Sequence, residues 1–600
     1  MKVKNKFIAL LLLTFASFAN VDSNTLFALE DNDEVEQIVV ENEDCIIRIN
    51  SSYENLKDAI LNKTNISIDG TIIINNETLP IDNYLNYNSI SRYDIVEWLY
   101  NNSVLTVEQK IDCYCELLLT KNFENIYCLT GIYNEILEYQ RSSENFRTSE
   151  SSELFSRIDS VFENEYINNS RQINNKQTYS STNFRIHYDG NRTTQELVED
   201  VAEYFEYVRE EYINMGFEEA ILEPFMSRYQ VYLDPDPSED NYAAATYPNV
   251  SVLKTCSSHI KIFNFTVFDN YIKEIIAHEY FHAIQNAYNK HHTWFSEATA
   301  SWAITKVCDD YTFAIRDINR YISEHENNDI NSCVGGILLP VTIEKEYGGY
   351  AAIRKIYEEF NNHTGNIDCD DLNTLITNGI INNGYVNGSF NEAYVILSSY
   401  IINSEENYAS ILSSSDEINN VNMNNSFNVY NNNVLFTTNI NLYCSKYYKL
   451  YTNNNIPSDL TLNFTFDYSG ARIQIYIENH NDTHSISYYD NIGTTKTINI
   501  QNMGTTIKNV YVIISNVNNS STLSANVNVL YNHDHDYIGG CTSNDALNHT
   551  CICSCGYTYT AAHTYKPFSN GNKCTRCGFF TTGPVITPIM GIGEEEPEEE

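Results

Sequence analysis

Basic side chains are scarce in this 600-residue sequence: 36 Lys and Arg stand against 79 Asp and Glu, a formal charge of −43 at pH 7. Affinity for nucleic acid comes mostly from Lys and Arg neutralising phosphates, so nucleic-acid partners are set aside. Long apolar runs are missing too. Beyond residue 20 nothing approaches the roughly 18 consecutive apolar residues of a spanning helix, so no membrane span is expected in the mature chain. Charged residues make up only 19% of the sequence, but 42% is hydrophobic, which removes disorder as the default. At roughly 150 residues per domain the length implies about four units. Part of the acidic excess sits in the tail Glu594 to Glu600, broken by Pro597. Residues 583–600 are expected to be solvated and disordered.

One apolar run does occur, at the start. Lys2, Lys4 and Lys6 precede Phe7 to Phe18 and the small-residue site Ala16-Ser17-Phe18-Ala19, so residues 1–19 read as a secretory signal peptide, with Ala28 as a second cleavage point. The protein is expected to be exported and extracellular, in the style of bacterial secretion. Export permits disulfides. Fifteen cysteines divide along the chain: Cys45, Cys113, Cys115 and Cys128 early, Cys256, Cys308, Cys333 and Cys369 in the middle, Cys444 alone, and six from Cys541 to Cys577. Cys113 and Cys115 are too close to bridge each other easily, and spacing does not give the connectivity.

Residues 30–175 mix amphipathic helical patterns, Tyr93 to Leu119 and Ile132 to Phe162, with polar Asn/Ser stretches and carry no catalytic motif. This mainly helical region is either a propeptide that covers an active site or a plain accessory domain. Arg171 to Thr182 is polar and aperiodic and reads as a linker. From Asn183 strands and helices alternate: Phe184 to Tyr188 as a strand, Thr194 to Tyr212 as an amphipathic helix, and Tyr229 to Leu233 as a strand ended by Asp234-Pro235-Asp236-Pro237. The strand His259 to Phe263 then leads to a helix from near Asn270. The expectation for residues 180–420 is a mixed sheet followed by helices.

That last helix contains His278-Glu279-Tyr280-Phe281-His282, with Ile275, Ile276, Phe281 and Ile284 at helical spacing. At about 3.6 residues per turn the two histidines lie one turn apart on one face and direct two imidazoles at a single zinc ion. Glu279 lies beside that face, where a carboxylate takes a proton from zinc-activated water. By chance such a pentapeptide arises on the order of a few hundredths of a time per chain of this composition. Glu297, 15 residues beyond His282, sits in Trp294-Phe295-Ser296-Glu297-Ala298-Thr299-Ala300, the start of a second helical pattern after a polar turn.

Here the sequence resembles the gluzincin metallopeptidases, the thermolysin-like group in which HExxH is followed by a glutamate helix. The resemblance covers roughly residues 180–420 and is specific over 270–305. It implies a zincin-like domain in which His278, His282 and Glu297 bind a catalytic zinc ion and Glu279 is the general base. The spacing to Glu297 is shorter than in thermolysin, and Ser301 stands where thermolysin has an Asp that orients the first His. Gln285 and Tyr288 occupy positions where the metzincins need Gly and a third His, so that reading fails. The Gly-x-Met-Glu-Asn stretch of aminopeptidase relatives is absent, which favours internal cleavage. Tyr347 and Tyr350 are the candidate oxyanion stabilisers.

Residues 430–530 switch to period two. Leu460, Leu462, Phe464 and Phe466 alternate with polar residues, and Ile473, Ile475, Ile477 and then Val510, Val512, Ile514 repeat the pattern, as in a small β-sandwich. This segment is similar to the pre-peptidase C-terminal domains of secreted bacterial proteases, which implies attachment or substrate presentation. Residues 531–582 hold Cys553-x-Cys555 and Cys574-x-x-Cys577, which resemble the two knuckles of a zinc ribbon. The second is well formed and the first one residue too tight, and disulfides compete with a second, structural zinc. The fold class expected is therefore multidomain α+β. The leading expectation of function is a secreted zinc metalloendopeptidase acting on protein or peptide substrates, with cell-surface or matrix contact through the C-terminal modules. The alternatives are a non-catalytic surface-binding protein retaining a zincin fold and a zinc hydrolase of a non-peptide substrate.

Overall fold

The computed structural model describes residues 38–582 apart from 42–44, 62–67, 75–76, 82–91, 102, 121–128, 144–152, 162–175, 235–242, 249–254, 264–266, 290–293, 310, 325–329, 331–335, 364–366, 368, 413–417, 430–432, 453–457, 491, 518–521, 533–539, 545–546, 553–557 and 569–570. The expected signal peptide, the acidic tail, Cys128 and the pair Cys553 and Cys555 lie outside the described residues. The architecture is multidomain α+β. The chain divides into two compact units, one of residues up to 318 with 334–390 and 409–417, the other of 319–333, 391–408 and 418 onward. No helix among the described residues is long and apolar enough to cross a membrane.

The first unit opens with a four-stranded antiparallel sheet, β1 (Ile38–Glu41), β2 (Cys45–Ile49), β3 (Gly70–Ile74) and β4 (Glu77–Pro80). The helical expectation for residues 30–175 is corrected to this extent. Isoleucine-rich stretches such as Ile46-Ile47 and Ile72-Ile73-Ile74 pack as β-branched residues do on a pleated surface. Against the sheet lie α1 (Tyr53–Leu61), α2 (Arg92–Asn101), α3 (Val107–Thr120), α4 (Thr130–Ser143) and a helix over residues 153–161. One apolar cluster joins them through Ile47, Leu56, Ile60, Leu99, Ile111 and Ile136, and it extends to Ala245, Tyr247 and Phe263 further along the chain.

The second sheet of this unit runs in the order β5 (Lys176–Ser180), β6 (Phe184–Asp189), β7 (Tyr229–Asp234), β9 (Ser258–Phe263), β8 (Ala243–Pro248). The three inner strands are parallel, and β5 and β8 are antiparallel edges. β5 replaces part of the expected linker. Its side chains are almost all exposed, so it carries no hydrophobic alternation. α5 (Gln195–Asn214), N-capped by Thr194, packs on the sheet through Val198, Val201, Phe205 and Val208.

The next helix, α6 (Asn270–Tyr288), starts at Asp269, whose carboxylate accepts the Ile272 N–H at 3.0 Å, the N-cap bond that satisfies an orphan donor. It is buried along nearly its whole length. α7 (Trp294–Val307), α8 (Leu338–Glu346) and α9 (Tyr350–Asn362) complete its surroundings. Phe281 is the hub: its ring lies 5.3 Å from Tyr212, 5.1 Å from Phe217, 6.0 Å from Trp302 and 6.1 Å from Tyr357, all edge-on.

In the second unit two sheets share one apolar core. One has the order β10 (Asn425–Asn428), β12 (Ser445–Tyr451), β17 (Ile507–Asn516), β14 (Ala471–Asn479), β15 (His484–Tyr489). The other has β16 (Thr495–Met503), β13 (Ser458–Phe466), β18 (Leu523–Asn532), β11 (Val434–Ile440), and a single pair, Met503 with Ile507, links the two. Leu460, Leu462, Phe464 and Phe466 all point into the core, as their alternation requires. Beyond them two three-stranded sheets follow. β19 (Cys541–Ser543), β20 (Asn548–Ile552) and β21 (Thr558–Ala562) form one, and β22 (Tyr565–Phe568), β23 (Gly571–Cys574) and β24 (Phe580–Thr581) the other. Cys541 and Cys551, directly opposite across β19 and β20, form a disulfide, whereas Cys113, Cys115, Cys256, Cys308 and Cys444 are in no disulfide.

Because Phe281 fastens α6 to α5 and α7 together, truncating it leaves a cavity that the aromatic wall cannot fill. Phe281→Ala is expected to destabilise this unit by about 3–5 kcal/mol. Urea denaturation followed by tryptophan fluorescence checks it, and a loss under about 1 kcal/mol contradicts the packing role.

Candidate metal centre

His278 and His282 project from the same face of α6, and their Nε2 atoms lie 3.0 Å apart. Glu297, in the first turn of α7, brings Oε2 to 3.2 Å from His278 Nε2 and Oε1 to 3.5 Å from His282 Nε2. One ligand atom from each of the three lies within 4.8 Å of the other two. Both histidines are about 1% exposed at the side chain, and Glu297 is 17% exposed. The cluster is therefore closed on the helix side and accessible at the carboxylate.

The outer nitrogens decide which atom each imidazole offers. His282 Nδ1 lies 2.7 Å from Gln285 Oε1, while Gln285 Nε2 donates to the Ser296 carbonyl at 2.8 Å and reaches the Thr299 hydroxyl at 3.1 Å. With its amide nitrogen committed to Ser296, Gln285 presents its oxygen to His282, which must donate from Nδ1. Nε2 then keeps its lone pair towards Glu297 and His278. The same side chain ties α6 to α7. The Ser301 hydroxyl stands 3.4 Å from His278 Nδ1, a longer contact in the place where the sequence left the first histidine's support open. Burial works to lower the His282 pKa, but the carboxylates of Glu297 and Glu279 and the bond to Gln285 carry it above the ordinary value.

Glu279 is 1% exposed. Its Oε2 accepts from the Thr130 hydroxyl at 2.9 Å and lies 2.8 Å from Thr246 Oγ1, which is also 2.7 Å from the Glu279 carbonyl oxygen and shares its one proton between them. Oε1 has no hydrogen-bond partner among the described residues. Thr130 belongs to α4 and Thr246 to the edge strand β8, where the Thr246 N–H donates to Thr130 Oγ1 at 2.9 Å. The Glu279 carboxylate is thus held through Oε2 alone among the described residues.

The structure thus brings His278, Glu279, His282 and Glu297 together. Of the two tyrosines, Tyr347 is buried at the end of α8 with its ring 5.5 Å from that of Tyr385, and Tyr350 is 44% exposed at the start of α9. These contacts do not join either to the cluster. Gln285, Thr246 and Thr130 are absent from the sequence reading as site residues. Gln285 carried a signal, since it lies three positions after His282 on a neighbouring part of the helix surface. Thr246 and Thr130 carried none, because only the tertiary fold brings β8 and α4 to α6.

No protein-family profile matches the chain, and no curated protein matches it. Among solved structures it is similar to the pre-peptidase C-terminal domain of a collagenase from Bacillus anthracis, at 12% identity and a TM-score of 0.15, over 19% of this chain and 100% of that one. It is also similar to Legionella pneumophila aminopeptidase A in complex with aspartic acid, at 11% identity and a TM-score of 0.27, over 56% of this chain. The match spans 36% of the aminopeptidase's length. Neither likeness carries any part of the argument.

Gln285 is a positioning residue, and removing its oxygen frees the His282 ring. Gln285→Leu is expected to weaken zinc retention about 10–100-fold in competition with a chelator, with Gln285→Glu restoring most of it. Equal retention in all three forms contradicts the role.

Proposed function

We propose that the chain is a secreted zinc-dependent metalloendopeptidase of the gluzincin kind, with residues 180–420 as its zincin-like domain, acting on extracellular proteins. The observation that carries this reading is the convergence of two Nε2 atoms and a carboxylate beside the bare Oε1 of a buried Glu279. Two nitrogens and one carboxylate with an open fourth direction are the donor set of catalytic zinc sites, so the residues fit the ion. A zinc ion bound there supplies Lewis acidity that polarises a carbonyl and brings the pKa of a water down to about 7.

The chain's own groups do the rest. His278, His282 and Glu297 hold the ion, and Gln285 fixes the tautomer of His282. Glu279 Oε1 takes the proton of the attacking water and delivers it to the departing amine nitrogen, while Thr246 keeps Oε2 in place. On the outer edge of β8 the Ala244 C=O accepts the Leu129 N–H and the Thr246 N–H donates to Thr130 Oγ1, so an extended peptide pairs with this edge strand once those contacts open. A purely adhesive role is disfavoured by the same carboxylate. A buried oxygen without a partner costs free energy, and binding at another surface gives it no use. Attachment to a surface or matrix is the role proposed for the sandwich over 430–530 and the module over 531–582.

Glu279→Gln is expected to leave the metal content unchanged and to lower cleavage of a denatured protein mixture about 10²–10⁴-fold, read by mass-spectrometric mapping of new termini. Cleavage by the variant at the wild-type rate contradicts the assignment of the base.

A further inference from the structure

Four side chains of the C-terminal module converge without any part in the site above. His549 on β20, His563 after β21, Cys574 at the end of β23 and Cys577 in the turn after it place one ligand atom each within 4.8 Å of the others. We propose that His549, His563, Cys574 and Cys577 form a structural zinc site of two nitrogens and two thiolates. Tetrahedral zinc with Zn–S near 2.3 Å and Zn–N near 2.0–2.1 Å separates its N and S ligands by about 3.5 Å. The paired contacts are of that size: Cys577 Sγ lies 3.3 Å from His563 Nδ1 and Cys574 Sγ 4.0 Å from His549 Nδ1.

The surroundings are those of a built site. His549 is 1% exposed and Cys574 2%. His563 turns its other nitrogen to the Ser543 hydroxyl at 3.4 Å, which leaves Nδ1 facing the thiols. Cys574 Sγ receives the backbone N–H groups of Arg576 and Cys577. Gly578, at φ 74°, closes the loop with its N–H on the Cys574 carbonyl at 3.1 Å, a left-handed turn that favours glycine. Among the described residues of the module, Cys541 and Cys551 are joined while Cys574 and Cys577 are in no disulfide. The sequence expectation paired Cys574 and Cys577 with Cys553 and Cys555. Cys553 and Cys555 lie outside the described residues, and among the described residues the groups that stand beside Cys574 and Cys577 are the two histidines.

Cobalt substitution of the full chain tests this, because the His278, His282 and Glu297 cluster holds no sulfur. The wild type is expected to show the thiolate-to-cobalt charge-transfer band, Cys577→Ser to lose it together with one metal per chain, and His282→Ala to keep it. His563→Cys, which supplies another thiolate, retains the band and so separates ligand loss from misfolding. Absence of the band in the wild type, or a Cys574–Cys577 disulfide by mass spectrometry after zinc loading, overturns the proposal.

A second inference rests on the peptidase reading and on separate contacts. The Leu129 N–H donates to the Ala244 carbonyl at 2.8 Å, and the Thr130 hydroxyl takes the Thr246 N–H and donates to Glu279. Leu129 and Thr130 therefore occupy the two outward groups of β8 that a peptide would use, and the Thr130 hydroxyl bonds the proposed general base as well. Tyr133, one turn on, stacks edge-on against Tyr247 at 4.5 Å, and β8 shares the apolar cluster of the N-terminal region. We infer that this segment is an autoinhibitory latch that must leave before substrate enters.

In the zinc-loaded full chain, Thr130→Val is expected to raise the cleavage rate about tenfold or more, the scale set by one hydrogen bond to a charged group, and to speed hydrogen exchange at the Thr246 amide. Thr130→Ser, which keeps the hydroxyl, is expected to behave as wild type. Unchanged cleavage and exchange in Thr130→Val overturn the latch. Failure of every form to cleave contradicts the peptidase reading instead, and exchange at Thr246 then decides the latch alone.

Discussion

Polar groups sealed inside a helix with no solvent face are the constraint on which the first unit depends. α6 is buried on almost every side, yet it carries His278, Glu279, His282 and Gln285 in its central turns. Desolvating such groups costs several kcal/mol each unless they find partners, so the rest of the unit is arranged to supply them. α7 brings Glu297, Ser296 and Thr299, and β8 brings Thr246. The aromatic wall around Phe281 holds these elements at the distances the hydrogen bonds need. Packing and chemistry are here the same problem. An imidazole whose Nδ1 is satisfied by Gln285 can only turn its Nε2 lone pair towards the cluster.

Much of this was legible in the sequence, and the exceptions share a cause. The i, i+4 pair of histidines, the adjacent glutamate and the reversal that returns Glu297 are local patterns, and local patterns survive into the fold. So did β6, β7 and β9, whose β-branched and aromatic residues alternate. β8 was invisible because Ala243-Ala244-Ala245-Thr246-Tyr247-Pro248 has little strand preference of its own, and only pairing with β9 makes it a strand. β5 was taken for linker because an exposed edge strand shows no alternation. The hydroxyls on Glu279 come from residues 149 and 33 positions away in the chain, a separation that no spacing rule reaches.

The C-terminal module teaches the same lesson in reverse. Spacing suggests two cysteine pairs; the first lies outside the described residues, and the second stands at a turn closed by Gly578. Strand register brings two histidines near the second pair: β20 lies antiparallel to β21 with His549 opposite Ala561, close to the end of the strand after which His563 follows. Both units thus use one device, histidine nitrogens oriented by a neighbouring oxygen. In the first the donor set is left incomplete and beside a base, which suits turnover. In the second the set we propose has four protein ligands, which suits structure alone.

The central claim is that His278, His282 and Glu297 bind zinc while Glu279 stays out of its coordination. Anomalous diffraction at the zinc edge from crystals of the zinc-loaded full chain tests it most directly. The account predicts a peak about 2.0–2.2 Å from both Nε2 atoms and the Glu297 carboxylate, with Glu279 too distant to ligate. No peak at that point, or a peak with Glu279 as a direct ligand, would contradict it.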